Sequence, residues 1–154
     1  MEKNAGSMNS PLVSVIVPCY NEESTITGLL DALLHQTFPI DQVEVVIADG
    51  MSTDRTREKI TDFQRSHPEL SIQLVDNPRR IIPAALNTAI EHASGEFIVR
   101  MDGHALPAAD YLERCVQDLK AGLGDNVGGV LDVRPVEDSW IGRSIALAAV
   151  HPLG

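Results

Sequence analysis

The sequence predicts a three-layer α/β/α domain built on a mostly parallel sheet. Two observations carry that prediction. Short runs rich in β-branched residues alternate with segments of helical periodicity, at a spacing that suits βαβ crossovers. Each strand-like run then breaks into polar turn residues, as strands do where they leave a buried sheet. At 154 residues the chain is long enough for one domain with a core of its own.

The elements follow in order. Residues 1–10 are polar and read as a disordered leader, so the domain is expected over 11–154. Leu12 to Val17 is the first strand, stopped by Pro18. Ile26, Leu29, Leu30, Leu33 and Leu34 recur at i, i+3, i+4, i+7 and i+8, one face of a helix of roughly 12–14 residues. Asn21 or Ser24 is placed to cap it, with Glu22 and Glu23 suited to its first turn. Val43 to Ala48 is the second strand, terminated by Asp49-Gly50, and a polar helix follows from Asp54 to Ser66. Ile72 to Val75 is the third strand. Ala85, Leu86, Ala89, Ile90 and Ala93 mark a third helix ended by Gly95. Phe97 to Met101 is the fourth strand and Ala108 to Lys120 the fourth helix. Val130 to Val133 reads as a fifth strand and Asp138 to Val150 as a last helix.

In a parallel sheet, Pro18 to Glu22, Asp49 to Asp54, Asp76 to Arg80 and Asp102 to His104 all fall along the carboxyl edge. Open α/β sheets bind their ligands there. The formal net charge of −10 argues against nucleic acid as a partner, because a phosphate backbone needs a basic stripe. A small anionic substrate must then be held by local donors, a helix N-terminus or a metal. The two cysteines, Cys19 and Cys115, show no zinc spacing and read as buried free thiols. No secretory leader and no run long enough to span a membrane is visible.

Four candidates along the edge could carry chemistry. Pro18-Cys19-Tyr20-Asn21-Glu22-Glu23 has neither a dinucleotide fingerprint nor a phosphate-cradling Gly-rich loop. It is either a plain turn before a capped helix or a loop whose backbone and Tyr20 hold a flat base. Asp49 is either a turn cap or an acceptor for a base N–H or ribose hydroxyl, whereas Asp54 reads as a cap. Arg79 and Arg80 are suited to phosphate or to stacking, and a solvated surface pair is the alternative. Asp102-Gly103-His104 places a carboxylate and an imidazole two residues apart. Such a pair leaves open positions on a hard cation, so Mg²⁺ or Mn²⁺ is expected there, with diphosphate oxygens as further ligands.

Taken together, Val15 to Glu22, Val45 to Asp54, Ala84 to Asn87 and Gly95 to Asp102 resemble the corresponding motifs of the family 2 glycosyltransferases. Four motifs in order are far more specific than any one of them, and they span almost all of residues 11–154. Met101-Asp102-Gly103-His104-Ala105 and His151-Pro152-Leu153-Gly154 look like the succinoglycan-type exopolysaccharide branch. The resemblance implies the GT-A fold, a Rossmann-like nucleotide-diphospho-sugar transferase fold, with this chain as its N-terminal, nucleotide-sugar-binding part. It implies a nucleotide-diphosphate-sugar donor, most often UDP-linked, and a glycan or lipid-linked acceptor in polysaccharide biosynthesis. Pro18, Tyr20, Glu22 and Asp49 match positions that hold the nucleoside. Asn21 belongs to the same loop, and Arg80 and Asn87 fall near the donor. Asp102 and His104 match the two positions that bind the diphosphate through a divalent metal; the family usually has Asp where this chain has His104.

The family transfers with inversion and needs a carboxylate base after the donor-binding half. No residue here stands out as that base, so it is expected beyond Gly154, as are the acceptor region and any membrane segment. On that reading the whole protein works at the cytoplasmic face of the inner membrane. Two other functions stay open on the sequence: a non-catalytic nucleotide-sugar binding module, and a sugar nucleotidyltransferase. The latter usually carries a basic Gly-rich loop after its first strand, which Pro18 to Glu23 lacks.

Overall fold

The computed structural model describes residues 11–129 together with Ser139, Trp140 and Ser144. The leader at 1–10, the fifth strand at 130–133 and most of the last helix fall outside the described residues. The chain divides into two units, Met1–Gln117 and Asp118–Gly154. In the second unit Gly122 adopts a left-handed φ of 69° and donates its N–H to Leu119 O at 3.0 Å, which closes a helix end. Also in that unit, Ser144 Oγ donates to Trp140 O at 2.8 Å.

The sheet lies in the first unit. Its strands are β1 (Val13–Cys19), β2 (Val43–Asp49), β3 (Ser71–Asp76) and β4 (Phe97–Arg100). They pair in the order β3-β2-β1-β4, all parallel. Helices α1 (Ile26–Leu34), α2 (Thr56–Ser66), α3 (Ile82–His92) and α4 (Tyr111–Lys120) alternate with or follow the strands. The expected three-layer α/β/α architecture is present.

Alternation along the strands sorts the core into two layers. Val13, Val15 and Val17 of β1 with Val45 and Ile47 of β2 point to one face. There they pack on Leu29, Leu30 and Leu33 of α1, Ile60 and Phe63 of α2, and Leu112 and Val116 of α4. Ile16, Val46 and Ala48 point to the other face and meet Ala85 and Ala89 of α3. Small residues on α3 let that helix approach the sheet closely.

Several boundaries differ from the sequence reading: α2 begins at Thr56 rather than Asp54 and α4 at Tyr111 rather than Ala108. Pro18 does not stop the first strand; β1 runs on to Cys19. Ile16 O accepts from Met101 N on the β4 side, and Cys19 O accepts from Gly50 N on the β2 side. Residues of β1 therefore face alternate neighbours, and Pro18 faces β4. Pairing with β4 has already ended at Ile16–Arg100, so the missing N–H leaves no rung broken. Helix α1 is nine residues long, not 12–14, because Glu22 to Thr25 form a turn in which Glu22 O accepts the N–H groups of Thr25 and Ile26.

At the opposite end of the sheet a polar clasp fixes where β4 begins. Glu44 Oε1 accepts from Ser14 Oγ at 2.5 Å, Ser94 N at 2.6 Å and Ser94 Oγ at 3.0 Å. Ser14 Oγ in turn accepts the Gly95 N–H at 2.8 Å. A Cβ at Gly95 would stand 2.7 Å from the Ser14 backbone nitrogen, so only glycine fits.

Candidate functional site

The four strand-end loops do share one edge, and the first two are tied into a single body. Asn21 N donates to Ser52 Oγ at 2.9 Å, and Thr53 N donates to Asn21 Oδ1 at 2.9 Å. Glu22 N donates to Thr56 Oγ1 at 2.8 Å, and Arg55 N donates to Glu23 Oε2 at 2.8 Å. Asn21 thus does not cap α1, as the sequence suggested it could; its side chain satisfies the neighbouring loop instead. Thr25 precedes α1 without a side-chain cap bond, so Ser24 does not cap it either. Asp54 has the expected capping role, accepting Thr56 N at 3.0 Å.

Backbone strain concentrates at the same edge. Among the described residues the non-glycine residues with positive φ are Asn21 (54°), Met51 (62°) and Arg80 (56°), one in each loop after β1, β2 and β3. Asn tolerates this region, but Met and Arg do so at a cost of about 1 kcal/mol or more each. Such strain persists where surrounding bonds over-determine the loop.

Asp49 ends β2 with its carboxylate fully buried. It accepts Ser52 N at 3.0 Å, Ser52 Oγ, and Arg57 Nη1 at 2.7 Å. Arg57 Nη2 continues to Asp76 Oδ1 at 2.9 Å, at the end of β3. These two carboxylates hold the Arg57 guanidinium firmly charged, the Asp49 hydrogen bond contributing most and outweighing the cost of burial. Next to Asp49, burial pushes the Cys19 thiol up to about 12, with the charges of Asp49, Glu22 and Asp54 adding to it. The thiol is neutral and inert, as a structural buried cysteine should be.

Tyr20 is half exposed and lies over Gly50, where a Cβ would come within 3.3 Å of its ring. Pro18 sits inside β1, buried. Arg80 is exposed after β3, and its N–H donates to Asn77 O at 3.1 Å. Asn77 is itself buried and donates Nδ2 to Ile81 O at 3.1 Å, which sews the end of β3 to the start of α3. Asn87 is exposed on α3, more than one turn from the helix start at Ile82, so of the predicted residues it lies farthest from the loop cluster along its element.

The loop after β4 brings Asp102 and His104 to the edge. Asp102 Oδ1 accepts from Arg100 Nη2 at 3.1 Å and is half exposed. His104 Nδ1 lies 3.2 Å from Glu22 Oε1, and Glu22 Oε2 accepts from Thr25 Oγ1 at 2.5 Å. Gly103 is buried against Glu22, whose Cγ would meet an added Cβ at 3.0 Å. Glu22 therefore spans the first and fourth loops. With Nδ1 directed at Glu22, Nε2 is the ring nitrogen left for other ligands, and the carboxylate of Asp102 is open to solvent. That donor set fits a hard divalent cation completed by ligand oxygens. It does not make a closed cage: among the described residues no three His, Cys, Asp or Glu side chains converge to hold a metal.

Arg57, Asp76 and Ser52 were not singled out from the sequence as site residues. A signal for Arg57 existed. A cation in the first turn of a helix opposes the helix dipole, so it must be answered elsewhere. Ser52, three residues after Asp49, fits the Asx-type turn it makes. Among the described residues no helix is long and apolar enough to cross a membrane.

Comparison with known proteins places the chain among glycosyltransferases. The succinoglycan biosynthesis protein ExoA of Rhizobium meliloti is 36% identical over 142 residues, covering 91% of this chain and 42% of the relative. Glycosyltransferase AglE of Haloferax volcanii is 38% identical over 119 residues, covering 77% of this chain and 39% of the relative. Among solved structures, the mannosyltransferase PcManGT from Pyrobaculum calidifontis, in complex with GDP-Man and Mn²⁺, superposes with a TM-score of 0.68 at 40% identity. It covers 89% of this chain and 39% of that one. TarS 1–349 of S. aureus in complex with UDP gives a TM-score of 0.63 at 28% identity, covering 81% of this chain and 39% of that one. These neighbours have the GT-A fold. The chain spans about two-fifths of the length of these proteins. Residues 14–151 match the model of glycosyl transferase family 2, and the chain belongs to that family.

Proposed function

We propose that this chain is the donor-binding part of an inverting glycosyltransferase. It takes a nucleotide-diphosphate sugar, a UDP-sugar on our reading, and passes the sugar to a glycan or lipid-linked acceptor in polysaccharide biosynthesis. One observation carries the reading. An open carboxylate, Asp102, and an imidazole set by Glu22, His104, stand on the same sheet edge as the exposed Tyr20 ring over the loop after β2. A nucleoside at one end and a charged diphosphate at the other match that division.

The chemistry follows from charge. An acceptor hydroxyl attacks the anomeric carbon from the face opposite the departing nucleoside diphosphate, which inverts the centre, and a carboxylate base takes up the hydroxyl proton. Negative charge grows on the leaving diphosphate. Asp102 and His104 would hold Mg²⁺ or Mn²⁺, which supplies the positive charge that stabilises that group. Tyr20, Pro18 and Asn21 shape the nucleoside side, with Asp49 beneath them. Arg80 stands near the donor after β3, with Asn87 farther off along α3. GDP-Man and Mn²⁺ in one relative, and UDP in another, support a nucleotide donor and a divalent metal for this chain. Another relative, ExoA, is named for succinoglycan biosynthesis, which supports an acceptor in polysaccharide synthesis.

The test is calorimetric titration of UDP into the chain with Mn²⁺ and with EDTA, alongside Asp102→Ala. We expect binding that needs the metal and falls at least about tenfold in the variant, the scale of losing one charged ligand contact. A folded chain that binds no UDP under either condition overturns the reading.

A further inference from the structure

We infer that Gln36 is a positioning residue for the loop that carries Asp102 and His104, acting through the Ala108 carbonyl. The inference rests on the donor-binding reading and concerns how its diphosphate side is held. Residues 102–110 join β4 to α4 without a helix or strand of their own. At the carboxyl edge the loop is held by contacts that reach solvent, Arg100 with Asp102 and Glu22 with His104. Exposed pairs of that kind fix a loop weakly. A ligand set works when it is kept within about 0.5 Å of its productive place. The firmer hold lies at the other end of the loop, on the residues that follow α1.

Gln36 is half-buried, and both ends of its amide are engaged. Its Nε2 donates to Ala32 O at 3.1 Å on its own helix and to Ala108 O at 2.8 Å, and its Oε1 accepts Leu112 N at 3.1 Å. One side chain thus grips the last part of the loop and the first turn of α4, where a backbone N–H has no partner within its helix. Thr37 follows, its N–H donating to Ala109 O at 2.8 Å and its Oγ1 to Glu113 Oε2 at 2.7 Å. The grip passes to the ligands with little slack. Ala105 N donates to Asp102 O at 2.9 Å, which closes the turn containing Gly103 and His104, and Ala105 packs against the core. Leu106 and Pro107 alone separate Ala105 from Ala108. Proline fixes its own φ and keeps the residue before it extended. Leu106 also lies along α1, its Cδ2 3.5 Å from where a Cβ on Gly28 would stand. The turn is therefore set from the far end of α1 as well as by Glu22.

The experiment uses the 154-residue chain, Gln36→Ala and Gln36→Glu, each checked by thermal melting. Glutamate keeps an acceptor for Leu112 N, so the first turn of α4 stays capped, but it has no donor for Ala108 O. This second variant decides the matter if Gln36→Ala does not fold. Calorimetry measures Mn²⁺-UDP and Mn²⁺-pyrophosphate, NMR titration measures uridine, and hydrogen exchange follows the Ala105 amide without ligand. In both variants Mn²⁺-UDP and Mn²⁺-pyrophosphate should bind about fivefold more weakly, the scale of one hydrogen bond, with uridine changed by less than about twofold. The Thr37 bond to Ala109 remains, which keeps the loss to that scale. The Ala105 amide should exchange about fivefold faster in both, for the same reason. Native-like binding of Mn²⁺-UDP by Gln36→Glu overturns the Ala108 bond as the link. Faster exchange confined to residues 110–113 makes Gln36 a cap for α4 alone, and that overturns the inference. Equal weakening of uridine and Mn²⁺-pyrophosphate is general loosening and overturns it too. The exchange measurement separates the two readings. A folded, unaltered chain that binds no UDP overturns the donor site, whereas unchanged Ala105 exchange in the variants overturns the hold by Gln36.

Discussion

Replacing Glu44 by Gln should loosen the clasp that joins β1, β2 and the start of β4, in a way that pH reveals. Three donors converge on Glu44 Oε1: Ser14 Oγ, Ser94 N and Ser94 Oγ. Burial alone would push this carboxyl up, but the bonds from Ser14, Ser94 and Gly95 outweigh it and hold it below the ordinary glutamate value of 4.5. Gln preserves the shape and an acceptor oxygen but removes the charge. Charge-assisted bonds are roughly twice as strong as neutral ones, so three of them weaken by about 2 kcal/mol in total once partial solvent screening is allowed for. For a chain of this size that is a fall of about 4–8 °C in Tm at pH 7. A carboxylate with a depressed folded pKa stabilises fully above its unfolded value and stops doing so as pH falls through its folded value. The gap between the native chain and Glu44→Gln should therefore be constant down to about pH 5 and close below about pH 4. Melting curves followed by circular dichroism from pH 3 to 7 measure it. A gap that stays open at pH 3, or one absent at pH 7, would refute the argument that the charge on Glu44 holds the clasp.

Gly95→Ala forces a methyl to 2.7 Å from backbone and side-chain atoms of Ser14, so we expect a loss above about 3 kcal/mol and no soluble, cooperatively melting protein. Cys19 should resist iodoacetamide at pH 8 in the native chain and react once guanidinium unfolds it; mass spectrometry after alkylation reads this directly. Met51→Gly removes a left-handed strain and should leave stability unchanged or raise it by up to about 1 kcal/mol, despite the entropy glycine adds to the unfolded chain. A drop of more than that in urea melts would show that the Met51 side chain is held by packing.

The strands and helices were legible because each is short and strongly patterned. Leu29, Leu30 and Leu33 could only be one helix face, and Val45 to Ala48 only a buried strand. What the sequence hid depends on pairing between distant residues. Whether Pro18 ends a strand turns on which neighbour it faces, and that is set by where β4 diverges, more than 80 residues later. Asn21 looked like a cap because a cap is the commonest local use of that side chain. Its actual partner, Thr53, belongs to another loop. Asp49 was legible as a site carboxylate from its place after β2, but its burial was not. The guanidinium above it comes from a helix that sequence periodicity places on the sheet without fixing which residues reach its tip.

The edge is unequal, and the inequality bears on how a donor would be taken up. The loops after β1 and β2 are locked by reciprocal bonds between side chains and backbone, and Glu23 O also accepts from Lys59 Nζ at 2.7 Å. The loop after β4 meets the first loop through the Glu22–His104 contact, both of whose partners reach solvent. Preorganised groups bind without reordering cost, whereas a lightly held loop can adjust its ligands to what arrives. On the donor-binding reading, the nucleoside side is therefore built in advance, and the diphosphate side is completed when metal and phosphate oxygens enter. His104 fits that arrangement better than a second fixed carboxylate would. It brings an imidazole ligand tethered to Glu22, and it adds no further negative charge to a chain already at −10.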